Sequence, residues 1–154
     1  MTNWIYKGKE ITCLEDIDNY EKILGFVYII ERKASKKYGP HKIYIGKKIL
    51  HHSRKTRITK KEKLLTPTRR VFKRVVKESD WKLYWGSCDP LKADMKVIPQ
   101  QYFTRTILEF CFSKKQLAYS EIEYQFKQDV LRKDTYNGNI LGKYFRKDLI
   151  NESI

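Results

Sequence analysis

Apolar and polar residues alternate through "WIYKGKEI", Trp4 to Ile11, on either side of Lys7-Gly8. Period-two alternation across a glycine-containing pair predicts a small β-hairpin. Thr12 then opens "CLEDIDNYEKIL", where Leu14, Ile17, Ile23 and Leu24 suit a short helix with acidic residues in its first turn. Two strands follow, Phe26 to Glu31 in "GFVYII" and Lys42 to Lys47 in "HKIYIGKK", and the basic, turn-rich "RKASKKYGP" between them predicts a second hairpin. In "ESDWKLYWGSCDPLKADMK" a cap signal at Ser79 or Asp80 and a Gly-Ser turn precede Pro90, which opens a short helix through Met95. "YFTRTILEFCF" reads as a strand. Ser113 caps the helix that the pattern marks most strongly, with Leu117, Ile122, Phe126 and Val130 at near-helical spacing. "TYNGNILGKYF" carries an Asn-Gly turn signal at Asn137-Gly138, and the tail is charged.

There is no internal repeat and no linker, so the 154 residues are expected to form one domain. An extension over 1–24 precedes a core over 25–139, and 140–154 is the tail. No long apolar run or signal-peptide pattern is present, which makes a membrane partner unattractive and predicts a soluble, cytoplasmic protein. Cys13, Cys88 and Cys111, odd in number and widely spaced, suit neither a disulfide framework nor a zinc site and are expected as free thiols.

Charge changes the picture more. The net formal charge is +15, far more than solubility needs, and an anionic partner is implied. Lys47 to Lys77 holds 13 Lys/Arg against a single acid, Glu62. A solvated helix face would carry compensating acids, so the run points to phosphate contacts. Pro67 and the neighbouring threonines interrupt any long helix, and parts of the run are expected to be disordered without a ligand. Lys48, Arg57, Arg69, Arg70, Lys73 and Arg74 are the candidate phosphate-binding cations, with Trp81 and Trp85 as candidate stacking aromatics.

Tyrosines in strands are usually rim aromatics, and a helix glutamate such as Glu121 or Glu123 is usually a surface acid. Their order along the chain singles them out. "VYI…YIGKK", the basic segment, "FTRTILEF", "LAYSEIEYQF" and "YNGN" together resemble the GIY-YIG nuclease family, and more narrowly its phage-encoded Seg-type and mobile endonucleases. The first motif departs from the family pattern, reading Phe26-Val27-Tyr28, and the 47–77 insertion obscures the position of the family's arginine.

The resemblance implies an α+β fold, a small three-stranded, mainly antiparallel sheet flanked by helices, here with an additional N-terminal hairpin. It also implies a metal-dependent DNA endonuclease leaving 5′-phosphate and 3′-hydroxyl ends. Tyr28 would handle the proton of the attacking water and Tyr44 would hydrogen-bond around the scissile phosphate. A free tyrosine is a poor base at neutral pH, with a pKa of about 10, so Lys47 is expected to stabilise the phenolate. Gly46 would let the backbone approach the phosphate. Glu121 would bind a single Mg²⁺ or Mn²⁺, which suits a lone carboxylate because such ions keep several waters. The arginine falls on Arg54, with Arg57 and Arg70 as competitors. Asn137 either supports the site or makes a turn. His51 and His52, adjacent on a strand, would face opposite ways and cannot act as a pair. Two other readings stand beside this one: a non-cleaving nucleic-acid-binding protein on the same scaffold, and a basic RNA-binding domain. The protein is expected as a monomer or homodimer.

Overall fold

A computed structural model describes residues 2–149. Its centre is a five-stranded sheet in the order β2-β1-β7-β3-β4, built from β1 (Trp4–Tyr6), β2 (Lys9–Ile11), β3 (Gly25–Arg32), β4 (Lys42–Ile49) and β7 (Phe103–Cys111). The remaining elements are a ribbon of β5 (His51–Arg57) and β6 (Phe72–Glu78), a small hairpin of β8 (Asn139–Ile140) and β9 (Tyr144–Phe145), and helices α1 (Lys60–Leu65), α2 (Asp89–Val97), α3 (Lys114–Lys127) and α4 (Arg146–Leu149). No described helix is long and apolar enough to cross a membrane. Met1 and residues 150–154, the end of the expected tail, lie outside the described residues.

The α+β architecture expected from sequence is present. Its sheet is larger than the three strands implied, because the N-terminal hairpin does not stand apart. β1 pairs in parallel with β7, joining Trp4 to Arg105 and Ile5 to Thr106 in register. Trp4 explains why: its side chain is buried against Phe26 and Tyr28, and its indole N–H donates to the Trp81 carbonyl at 2.7 Å. A buried aromatic of this size contributes about 1.5–3 kcal/mol, enough to hold a three-residue strand on the sheet.

Two cores lie on the sheet's two faces, as period-two alternation requires. Phe26, Tyr28 and Ile30 point to one face, which is covered by Trp81, Leu91, Ile98 and the residues after β2. Val27 and Ile45 point to the other, where Leu117 of α3, Val130 and Leu131 cover them. The segment expected as a helix after Thr12 forms two short 3₁₀ turns, Leu14–Asp16 and Tyr20–Lys22, separated by Asn19 in the left-handed region at φ 57°. α3 begins where Ser113 predicts, its hydroxyl accepting from the Gln116 amide. It ends at Lys127, short of Val130, and its buried face is Leu117, Ser120 and Gln125, while Phe126 is exposed. The turn signal at Asn137-Gly138 is not used as a hairpin turn: the β8–β9 turn lies at Leu141-Gly142 instead.

The basic run departs most from expectation. Rather than staying disordered it folds as an antiparallel ribbon, with Arg54 opposite Val75 and Arg57 opposite Phe72. α1 sits at its tip, capped by Thr59. The ribbon is rooted at buried Leu50, whose amide and carbonyl bond to Leu24 and Ser79.

Candidate active site

β4 is the edge strand next to β3, and the register places Tyr28 directly opposite Gly46 and Ile30 opposite Tyr44. The two tyrosines therefore occupy one sheet face, offset diagonally, with ring centroids 6.1 Å apart. Gly46 is needed because of that arrangement. A Cβ on it would lie 2.5 Å from the Tyr28 hydroxyl oxygen, 2.8 Å from Tyr28 Cζ and 3.0 Å from Tyr44 Cε1. A β-bulge between β3 and β7 at Val27/Tyr28 adds local twist where the first phenol is presented.

Glu121 comes from α3, on the other side of the sheet. Since β4 has no strand beyond it, side chains from both faces reach round its edge, and Tyr44 and Glu121 line one cavity of about 450 Å³. Ser87, Cys88 and Asp89 close it on one side and Gln125, Asn137 and Asn139 on the other. Burial pushes the Glu121 carboxyl above its ordinary range, and the Lys47 ammonium 3.9 Å away opposes that push.

Lys47 does not sit where the sequence reading needs it. It lies three residues after Tyr44, so alternation turns it to the opposite face, against Glu121 rather than against the phenols. None of the groups that shift Tyr28 most is a cation. Burial drives that hydroxyl far above the ordinary tyrosine value, and Tyr44, Tyr84 and Glu121 add to the shift. Tyr44 is pushed up to about 12, chiefly by burial. Both phenols are therefore neutral at ordinary pH, the reverse of the phenolate expected from sequence.

The remaining candidates separate cleanly. Asn137 bridges both backbone groups of Ile45: its carbonyl accepts from the Ile45 amide at 3.0 Å and its amide donates to the Ile45 carbonyl at 2.9 Å. Gln125 donates to the same carbonyl at 3.1 Å, and the Tyr136 amide to that of Ile43 at 2.8 Å. The open edge of β4 on either side of Tyr44 is thus satisfied by two side chains at Ile45 and one main-chain amide at Ile43, in effect a substitute strand. Arg146 binds the carbonyls of Val130, Leu131, Lys133, Thr135 and Asn137, fixing the loop that delivers Asn137. Asn137→Ala is expected to leave the buried Ile45 amide without a partner and its carbonyl held by Gln125 alone. That costs about 1–3 kcal/mol in a denaturant melt and lowers any phosphodiesterase rate with it; unchanged stability would show that the edge is held by other means.

Arg54, Arg57, Lys73 and Arg74 lie on the exposed ribbon, and Arg69 and Arg70 on the exposed loop before β6. Among the described residues no arginine lines the cavity, so the structure does not bring Arg54 together with Tyr44 and Glu121. Lys48 is on the phenol face, bonded to Asp80 at 2.6 Å, with its ammonium 4.0 Å from the Tyr84 ring centroid. Trp81 is not a stacking platform: it is fully buried and donates to Glu78. Its indole supplies core volume that the sequence's aromatic cluster does not distinguish from surface. Trp85 is half-buried under the Arg105 guanidinium, 4.2 Å from its ring centroid. His51 and His52 do alternate along β5, and His51 reaches the Tyr20 carbonyl at 3.3 Å.

Two participants escaped the sequence reading. Tyr84 packs edge-on against Tyr28 at 6.0 Å. Arg105 is buried and donates to the carbonyls of Thr2, Lys82 and Tyr84, which holds the 82–84 segment over Tyr28. Its position in an alternating strand, where Arg stands among apolar residues, was the available signal.

Two phenols from neighbouring antiparallel strands, a glycine beneath them and a helix carboxylate near the edge are the arrangement that the resemblance to the GIY-YIG class implies. The family model described as "Putative endonuclease segE, GIY-YIG domain" matches residues 4–148. The chain belongs to that family and is a phosphodiester endonuclease, a hydrolase. No significant match was found among curated proteins or among solved structures.

Proposed function

We propose that the protein cuts DNA by divalent-cation-dependent hydrolysis, leaving 5′-phosphate and 3′-hydroxyl ends, in the manner of the phage-encoded mobile endonucleases it resembles. The observation that carries this is the convergence of Tyr44 and Glu121 on one open cavity, with the Tyr28 hydroxyl against Gly46 beside it.

The residues present fit a Mg²⁺ or Mn²⁺ ion. Among the described residues there is no group of three or more His, Cys, Asp or Glu side chains that would form a closed metal cage. A single desolvated carboxylate facing an open cavity suits an ion that keeps most of its waters. Glu121 would hold it, and when bound it would supply charge stabilisation to the leaving 3′ oxygen.

Tyr28 and Tyr44 would position the attacking water and the phosphate from the neutral state. Glu121's negative charge is one cause of the upward push on both phenols. Compensating that charge would ease the loss of the Tyr28 proton to solvent, and the phenolate oxygen left behind would be the acceptor for the proton of the attacking water. Lys47 would then be released from Glu121 towards the phosphate. Asn137 and Gln125 hold the strand that carries these groups. Lys48 and the ribbon cations would carry backbone contacts to DNA, and the protein would act as a monomer or homodimer in the cytoplasm.

The test is plasmid cutting with Mg²⁺ or Mn²⁺, with the ends assayed by ligation. Nicked or linear product that ligates directly is expected; tight DNA binding with no cutting under any divalent ion would leave only a binding protein. A pH profile adds a sign. Glu121 as the metal ligand and Tyr28 as the proton acceptor each act after losing a proton, and both are shifted upward, so the single-turnover rate is expected to climb about tenfold per pH unit through neutrality. A rate falling with pH would remove these groups from the proton inventory.

A further inference from the structure

The β5–β6 ribbon is an element that the cutting site does not use. A two-stranded ribbon is marginally stable alone, yet here every residue of β6 is exposed, and Phe72, Val75 and Val76 show apolar surface to solvent. Residues directly opposed in an antiparallel pair share a face, so the register sorts its cations. One face carries Lys55, Arg57 and Arg74; the other carries Arg54, Lys73 and Lys77, with His52. Among the described residues Lys73 is the one of these six in an ion pair, with Glu62. A ribbon lying flat on a surface would concentrate its cations on one side. This one divides them equally between two.

We propose that the β5–β6 ribbon enters the major groove of B-form duplex DNA edge-first, so that the cations of its two faces meet the two phosphate backbones that wall the groove. The dimensions agree. The major groove is about 12 Å wide and admits a two-stranded ribbon, whereas the minor groove, at about 6 Å, does not admit its side chains on both faces. Seven residues per strand span about 24 Å, less than one helical turn of the duplex. Phe72 and Val76 share one face and Val75 the other, so in this pose they pack against the sugars of the groove walls beside the cations. The root of the ribbon, Leu50, immediately follows β4, the strand bearing Tyr44, Gly46 and Lys47. Seating the ribbon therefore sets where the cavity meets the backbone, so this inference deepens the DNA-cutting reading and takes its substrate from it.

Binding is measured by fluorescence anisotropy with EDTA present, on a duplex of about two helical turns, on its single strand and on the same sequence as duplex RNA. The wild-type protein is expected to prefer the DNA duplex at least about tenfold, because the A-form major groove is too deep and narrow to read. The K55Q/R57Q/R74Q and R54Q/K73Q/K77Q proteins are each expected to lose at least about tenfold in duplex affinity and to flatten the salt slope by about 2–3. Loss from one triple alone would mean that the ribbon lies on one backbone, and equal affinity for the single strand would mean that it reads no groove; either overturns the proposal. Dimethyl sulfate interference on the wild-type protein needs no variant: guanine N7 methylation in the major groove is expected to block binding, and interference only at adenine N3 in the minor groove would overturn it. The two readings fail separately. Normal two-face binding without cutting when Mg²⁺ is restored defeats the nuclease reading, whereas normal cutting and unchanged binding by both triples defeats the ribbon.

Discussion

Glu121→Gln is expected to abolish DNA cutting, by about a thousandfold or more, and at the same time to leave the protein as stable as the wild type or more so. The two outcomes have one cause. Burial raises the Glu121 pKa, so the folded state holds that proton more tightly than the unfolded chain does. The stability this contributes is present at low pH and is lost as pH rises through the raised value, since the carboxylate must then ionise in a place that disfavours charge. At neutral pH the wild-type protein carries that cost. Glutamine keeps the shape without the charge. Lys47, whose side chain is 46% exposed, loses a 3.9 Å partner and returns to water at little cost. Thermal melts supply the second readout. Millimolar Mg²⁺ should raise the midpoint of the wild-type protein by mass action on the folded state and leave that of Glu121→Gln unmoved. A glutamine variant that cuts at the wild-type rate would show that Glu121 is not the ligand, whatever its stability.

How much of this could be seen in the sequence depends on the kind of signal each residue carries. Strands β3, β4 and β7 and the start of α3 declared themselves through alternation and through Ser113, because local periodicity and a cap are properties of a few adjacent residues. The pairing of β1 with β7 did not, since it joins residues about a hundred positions apart and rests on where Trp4 finds volume. The resemblance to the nuclease family picked out Tyr28, Tyr44, Gly46 and Glu121 as a set; in the structure Tyr44 and Gly46 lie on the edge strand, Tyr28 on its neighbour opposite Gly46, and Glu121 shares a cavity with Tyr44. Their charge states were not legible. Lys47 adjoins Gly46 in sequence, but strand alternation turns it to the far face, and burial of Tyr28 is a property of what Trp4, Tyr84 and Tyr44 build round it. Arg54 illustrates the opposite failure. The resemblance put the family's arginine there, and the chain instead forms a ribbon, which carries Arg54 to an exposed position. The same ribbon shows why the basic run was read as partly disordered: its strands lack a buried face, so the usual alternation between apolar and polar positions is missing.

Gly46→Ala is expected to lower cutting about a hundredfold, the scale set by displacing catalytic groups by about an ångström, while DNA affinity holds. The methyl group would stand 2.5 Å from the Tyr28 hydroxyl oxygen and 3.0 Å from Tyr44 Cε1, so both phenols must move. Moving them strains a core in which Tyr28 packs edge-on against Trp4 at 5.3 Å and Tyr84 at 6.0 Å. Overpacking of this kind costs about 1–3 kcal/mol. Tyr28→Phe is the complementary change: it keeps the ring packing, removes the oxygen and is expected to cost about 10²–10⁴ in cutting rate with no loss of stability. Combining them separates the two effects. The closest contact of the new methyl is with the hydroxyl that phenylalanine lacks, so the double variant should recover part of the stability lost in Gly46→Ala and none of the cutting. A double variant no more stable than Gly46→Ala would show that the ring carbons, at 2.8 Å from the added methyl, already set the whole cost. If Gly46→Ala cuts at the wild-type rate, the phenols can shift without consequence, and their placement across Gly46 is not what positions the water.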